Sequence, residues 1–409
     1  MSMVKKKHTR KKKRFSLAMP SGYSMSMHAS LILLNLFGFL MILSANMTSG
    51  TSKDDLLRVA IKESMFLVVS YVAMVFVARR FSFRKLKKYY WYLLGALLLA
   101  LMATLLFPSV NGAKAWIRLG GITIQPAEFM KVFIILVVAQ SLGDKPPLKA
   151  NKENFRRMML HPLLIIFIVA ALVVGAQSDL GTGVVILGIA YMTILIPNNP
   201  VLSRLQKMMI VLVFIGLVLV FVLTTPKGVA FVEKLNIPAY MIDRFKISSN
   251  PFTNRYDFGY YQIFNGIVAL VKGGMWGVGY GQGFIKYSYL PESQNDAILA
   301  VVVEELGMVG FSFIMVLYGV LVYQLMKYTF RVKSEKDRMI LVGTLSYLVI
   351  HFVFNVGGIT AFIPLTGVPL LLISAGGSSR MAVMMAFGLA QNVIARYRTT
   401  ERKKGRTAV

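Results

Sequence analysis

Cysteine is absent from this chain, which excludes disulfides, Cys-ligated zinc and thiol catalysis together. Histidine is scarce: His8, His28, His161 and His351 are scattered, with no His-x-x-x-His pair, so no zinc or haem site is expected. Acid is scarce too, with 17 Asp and Glu against 46 Lys and Arg. A net charge of +29 would point a soluble protein toward nucleic acid. Here 56% of residues are hydrophobic, above the ~45–50% of an ordinary globular domain, and apolar runs of about 17–25 residues recur. The chain therefore reads as a polytopic membrane protein without a nucleic-acid partner. Its positive charge serves topology and contacts with anionic lipids.

Hydropathy marks about ten spans, near 27–49, 60–78, 89–107, 125–141, 160–175, 182–197, 207–225, 296–326, 338–358 and 376–395. All are expected as helices, because a helix satisfies its own backbone in lipid. A basic tail, 1–26, precedes the membrane domain 27–395, and a second basic tail, 396–409, follows it. No small-residue cleavage site follows the first run, which is read as a retained span rather than a signal peptide. Lys and Arg concentrate in the two tails and in the loops 79–88, 145–157 and 327–338, placing both termini in the cytoplasm.

The segment 226–295, between the seventh and eighth spans, is a large extracellular loop, too long for a mere connector. Its glycine run, 273–283, lacks the Gly-Lys-Ser/Thr ending of a nucleotide loop and lies on the outer face. It is read as a tight turn with close backbone approach, and no nucleotide is expected. No inverted repeat relates the two halves, which weighs against a transporter.

Three polar clusters interrupt the apolar pattern on the outer side. In the first, Asn111–Arg118, Lys114 and Arg118 are one helical turn apart and able to face an anion. Pro126 then suits the first turn of the next helix. Glu128 and Lys131 follow at i, i+3 and can neutralise each other; a buried ion pair and a substrate role for Glu128 both fit. In the second, Gln177-Ser-Asp-Leu-Gly181, Asp179 fits a helix cap or a site residue.

The third cluster is Tyr289–Gly307, which holds Glu292, Asp296, Glu304 and Glu305. A carboxylate in or beside hydrocarbon costs several kcal/mol unless paired or solvated, and so reads as functional. With a helix starting near Pro291, Asp296 sits at the outer mouth and Glu292 lies one turn before it. Glu304 then falls about 12 Å deeper, and Glu305 faces almost the opposite way. Further on, glycines and prolines break the run 355–380. Such irregular backbone is tolerated at membrane depth where it lines a wet cavity, and Arg380 stands at its end as a further candidate anion contact.

Taken in order, these motifs resemble the SEDS family of bacterial peptidoglycan polymerases (the FtsW, RodA and SpoVE proteins). The matching pieces are Gly112–Arg118 with Gln125–Glu128, Gln177–Gly181, Tyr289–Asp296 with Glu304–Gly307, Pro364–Pro369 and Gly376–Ser379. Ala127, Ser178, Ser293–Asn295 and Ala375 depart from the family's usual residues, and none of these changes removes a charged position. The runs Trp116–Pro126 and Asn355–Ile359 look more like FtsW than RodA.

The resemblance implies a glycosyltransferase of the bacterial cytoplasmic membrane that polymerises lipid II on its outer face, at the division septum. It implies a class B penicillin-binding protein as transpeptidase partner, within a divisome or elongasome. Asp296 matches the family's essential aspartate, acting as general base or holding a divalent cation, Mg2+ or Mn2+. Lys114, Arg118, Arg244, Arg255, Lys286 and Arg380 are the candidates for the leaving pyrophosphate. Glu128, Lys131, Asp179, Glu292, Glu304, Glu305 and Ser378 complete the candidate substrate-binding set. Two rivals stand beside this reading: a lipid II flippase using the intramembrane charges, and a scaffold that only recruits the transpeptidase.

Overall fold

Polar residues at the ends of the apolar runs set where helices begin. The chain opens with α1 (Met25–Ala45), α2 (Lys53–Arg80) and α3 (Phe83–Ala103). Ser52 and Ser82 cap the second and third, accepting the backbone N–H of Asp55 and Lys85, donors that a first turn leaves unpaired. In α2 the first turn carries Asp54 and Asp55 and the last carries Arg79 and Arg80, which complements the helix dipole.

A short antiparallel hairpin follows, β1 (Ile117–Leu119) and β2 (Ile122–Ile124), with Arg118 opposite Thr123. It leads directly into α4 (Pro126–Leu142), where Pro126 occupies the first turn as the sequence suggested. Next come α5 (Lys152–Ala170) with a π-helical extension over 171–176, α6 (Leu180–Ile194) and α7 (Ser203–Leu223). The outer loop contains α8 (Pro226–Glu233), α9 (Ala239–Ser249) and α10 (Phe258–Gly273). The chain finishes with α11 (Ile298–Arg331), α12 (Glu335–Ile359) and α13 (Gly377–Thr407). The computed structural model describes residues 18–48, 50–110, 112–120, 122–234, 239–252, 258–287, 290 and 293–407.

Each expected span coincides with a helix. Among the described residues seven helices are long and apolar enough to cross a membrane: α1, α2, α3, α5, α7, α11 and α12. The helices α4 and α6 are shorter, at 17 and 15 residues. Helix α4 is the hub: nearly every residue from Pro126 to Ala139 is buried, packed among α6, α12 and α13. Helix α7 stands apart, its apolar side chains outward, as expected of a surface solvated by lipid. At the two ends of the membrane domain, Gln391 exchanges hydrogen bonds with the Ser24 backbone at 2.8 and 3.0 Å. The start of α1 and the late part of α13 thus share one face, consistent with both termini on the same side.

One expectation is corrected. The span 296–326 is not one straight helix, because Gly307 has φ 63° and ψ −163° and breaks it. The outer loop is more than a connector, as its length suggested: α10 packs on α11 and α12 and buries Ile263 and Ala269.

Candidate active site

Asp296 lies in the turn 293–297, ahead of the first helical residue Ile298. The helix thus begins later than an onset near Pro291 would place it. The backbone carbonyl of Asp296 accepts the Asn355 amide at 2.7 Å, and its Oδ1 is 3.5 Å from Gln262 Nε2. The half-buried carboxylate faces a cavity of about 410 Å³.

That cavity gathers residues from remote parts of the chain: Arg118, Glu128, Lys131, Asp179, Arg244, Asp296 and Ser378 all line it. The starts of α4, α6 and α13 also open onto it, through Gln125, Asp179 and Gly376–Ser379. Helix starts carry partial positive charge and favour anions. The interrupted segment contributes Thr366–Pro369, so the irregular backbone does line a cavity. Three cations, Arg118, Arg244 and Lys131, share the wall with three carboxylates, Glu128, Asp179 and Asp296. Lys131 is paired with Glu128 and Asp179 caps α6, so Arg118, Arg244 and the helix starts are the features that suit an anion.

Hydrogen bonds hold the helix starts together. The Asp179 carboxylate caps α6 by accepting Thr182 N–H at 3.0 Å, and its other oxygen accepts Gln125 Nε2 at 3.0 Å. The Gln125 N–H donates to Ser378 Oγ at 3.0 Å. Asp179 is therefore both a cap and a member of the cavity wall. Lys114 is not one: its side chain is exposed, and its N–H donates to the Gln177 carbonyl at 2.9 Å. Residues 114–116 are irregular and Arg118 lies in β1, so the two basic residues do not share a helical face as expected.

The cavity floor is a buried ion pair held in a hydrogen-bond network. Lys131 Nζ donates to Glu128 Oε1 at 2.7 Å and lies 3.1 Å from His351 Nε2. The Tyr347 hydroxyl donates to Glu128 Oε2 at 2.6 Å. With Lys131 as an ammonium donor, His351 Nε2 accepts, and the ring's Nδ1–H is left to donate to the Pro369 carbonyl at 3.1 Å. The ion pair thus joins α4 to α12 and to the cavity's irregular wall. Both readings of Glu128 meet here: it is a buried structural pair and it lines the cavity.

The remaining candidates lie elsewhere. Lys286 pairs with Glu305 at 2.8 Å, fully buried, and Ser44 at the end of α1 also donates to that carboxylate. Glu304 accepts the N–H of Phe284 and Ile285, with Lys272 at 3.5 Å. These two glutamates bind the glycine run to the first part of α11. The break at Gly307 follows them directly. Nearby, burial and then the Glu305 carboxylate push the Tyr280 phenol above its ordinary range. Arg380 is buried against Glu63 at 2.8 Å, linking α13 to α2 rather than lining the cavity. Arg255 and Glu292 lie outside the described residues.

Sequence reasoning passed over Asn355, Tyr347 and His351 as site residues. The signal was present for His351, an ionisable group inside an apolar span. Among the described residues no three His, Cys, Asp or Glu side chains converge as a metal cage. Mg2+ needs only one or two carboxylates when phosphate oxygens complete its shell, a demand Asp296 can meet.

Comparison with known proteins places this geometry. A family model described as cell cycle protein, FtsW/RodA/SpoVE, matches residues 24–399. The chain belongs to the FtsW/RodA/SpoVE family. Stage V sporulation protein E of Bacillus subtilis is 32% identical over 370 residues, covering 88% of this chain and 94% of that protein. The probable peptidoglycan glycosyltransferase FtsW of the same organism is 29% identical, covering 94% of each. Among solved structures, one chain comes from work on the coordination of polymerization and crosslinking by a peptidoglycan synthase complex. It aligns with TM-score 0.68 at 24% identity, covering 92% of this chain and 98% of that one. Thermus thermophilus RodA aligns with TM-score 0.59 at the same identity, covering 92% and 97%. The family's membrane fold is therefore the fold of this chain.

Proposed function

We propose that this protein is a peptidoglycan glycosyltransferase that polymerises lipid II at the outer face of the membrane. The observation that carries the reading is the shared cavity: the Asp296 carboxylate faces a wall that offers Arg118, Arg244 and three helix starts to an anion. The curated relatives named peptidoglycan glycosyltransferase support the reaction class.

In the proposed step Asp296 takes the proton of the acceptor sugar's C4 hydroxyl. The oxygen forms a bond to the anomeric carbon of the donor chain as that carbon's bond to pyrophosphate breaks. Undecaprenyl pyrophosphate leaves and the anomeric centre inverts. A base of this kind must come within hydrogen-bond reach of the hydroxyl, and such catalysis contributes roughly 10²–10⁴-fold. Arg118 and Arg244 receive the pyrophosphate charge, guanidinium being suited to bidentate contact with phosphate. Of the six basic candidates they are the two described ones that line the cavity and are not committed to the Glu63 or Glu305 pairs. Mg2+ or Mn2+, where bound, would be held by Asp296 and would neutralise the pyrophosphate.

The partner in this reading is a class B penicillin-binding protein. The similar chain drawn from a peptidoglycan synthase complex supports it, and the FtsW-like motifs favour a role at the division septum. Against a flippase stands α4 beneath Lys131: from Val132 to Ala139 it is buried and apolar, offering no polar path inward. Polymerisation of purified lipid II by wild type and Asp296→Asn, with the partner present, tests the assignment. Full activity in the variant would remove Asp296 from the role of base.

A further inference from the structure

The side of α3 and α5 remote from the catalytic cavity carries a second feature. Both helices pack on α4, and α3 also meets the π-helical turn at the far end of α5. Along the remainder of their length they leave a cleft floored by α4. Phe133 stacks on Tyr90 at 5.6 Å between ring centroids, and Ser141 Oγ lies 3.1 Å from His161 Nδ1. Trp91, Leu94 and Leu98 face Leu164, Ile165 and Ile168 across an apolar slot of about 220 Å³. The spacings i, i+3, i+7 on α3 and i, i+1, i+4 on α5 are those of one helical face. At His161 and Leu164 the slot runs into an open depression of about 640 Å³ walled by Glu153, Arg156 and Arg157.

An apolar slot beneath a basic shelf matches the two halves of a lipid. The basic loop 145–157 is cytoplasmic by the distribution of Lys and Arg, so the shelf lies level with inner-leaflet head groups. From His161 to Ile168 the slot extends about 10 Å along α5. A partner helix, 10–12 Å across, would need roughly 800 Å³ over that length. The slot offers about 220 Å³, which suits an acyl chain and not a helix. Arg156 and Arg157 outweigh Glu153 at the mouth, which favours a negatively charged head group.

We propose that the α3–α5 cleft binds one anionic phospholipid of the inner leaflet, its phosphate on Arg156 and Arg157 and an acyl chain between Trp91 and Ile168. The bound lipid bridges α3 and α5 beside α4, the helix that carries Glu128 and Lys131. It stands independently of the chemistry proposed for Asp296.

Native mass spectrometry of the purified full chain, released from an equimolar mixture of phosphatidylglycerol and phosphatidylcholine, tests this. One retained lipid per chain is expected, enriched in phosphatidylglycerol. Arg156→Gln with Arg157→Gln should lower that enrichment about five-fold for each charge removed. Leu164→Trp, which fills the slot, should abolish retention of either lipid, and Leu98→Phe is the milder version should the first not fold. Arg204→Gln with Lys207→Gln, on another cytoplasmic stretch, should leave the enrichment unchanged. The proposal is overturned if wild type retains no phosphatidylglycerol, or if folded slot-filling variants keep it. It is equally overturned if the Arg204 and Lys207 control loses as much enrichment as the Arg156 and Arg157 variant, since bulk surface charge would then suffice.

Discussion

The side-chain amide of Asn355 donates to the backbone carbonyl of Asp296 at 2.7 Å and to that of Val368 at 3.0 Å. One buried residue on α12 therefore fixes the turn that bears the proposed base and the irregular wall opposite. Asn355 touches no reacting atom in this arrangement, so it is a positioning residue. Misplacing a catalytic group by about 1 Å can cost roughly 10²-fold. Asn355→Ala should therefore lower kcat for lipid II polymerisation by roughly 10- to 100-fold with little change in KM. A fall in KM-dependent binding alone, with kcat intact, would contradict the positioning role.

The Glu128–Lys131 pair is almost wholly buried, with side-chain exposures of 2% and 1%. Removing one partner strands a charge in a low-dielectric site, a loss of about 3–5 kcal/mol, whereas replacing both with apolar or neutral groups is far less damaging. Lys131→Met should thus unfold at a clearly lower temperature than wild type. Glu128→Gln with Lys131→Met should recover much of that stability in a thermal melt, while polymerisation stays low because the Lys131 contact that holds His351 against the irregular wall is lost. Additive melting shifts for the two substitutions would show that the pair is not coupled.

Arg380 tests the distinction between a substrate contact and a helix clamp. It pairs with Glu63 across the α2–α13 interface, both residues buried, and it does not line the cavity. Arg380→Gln should reduce the yield of folded protein in detergent, and Glu63→Gln with Arg380→Gln should partly restore it. The restored double variant should keep its KM for lipid II, in contrast to Arg118→Ala or Arg244→Ala, whose KM should rise. A raised KM in the double variant would return Arg380 to the pyrophosphate site.

What the sequence made legible follows from local rules. Apolar length located the helices, Pro126 and Asp179 announced the starts of α4 and α6, and the i, i+3 spacing of Glu128 and Lys131 foretold their ion pair. Local rules failed where two local patterns compete or where the partner is remote. Lys114 and Arg118 have helical spacing, but Ile117, Thr123 and Ile124 around Gly120 and Gly121 are strand and turn residues, and the hairpin prevails. The pairing of Arg380 with Glu63 spans most of the chain, and no residue near either one signals it. Hydropathy is also insensitive to a backbone break, so Gly307 vanished inside an apolar run.

Gly307 repays a direct test for that reason. Its φ of 63° with ψ of −163° lies in a region essentially restricted to glycine, where another residue costs of order 1–3 kcal/mol. A Cβ there would also collide with the Met275 carbonyl and the Gly277 N–H. The same break lets Met308 and Val309 donate to the carbonyls of Gly274 and Met275 at 2.9 and 3.2 Å, which seats the glycine run against α11. Gly307→Ala should therefore straighten α11 or detach the run, weakening the Lys286–Glu305 pair and tilting the turn at Asp296. The expected result is a lower melting temperature together with lost polymerisation. Gly319→Ala, in the same helix with nothing within 4 Å of its added Cβ, should leave both unchanged. Equal tolerance of the two substitutions would mean that the break at Gly307 does not set the geometry of the site.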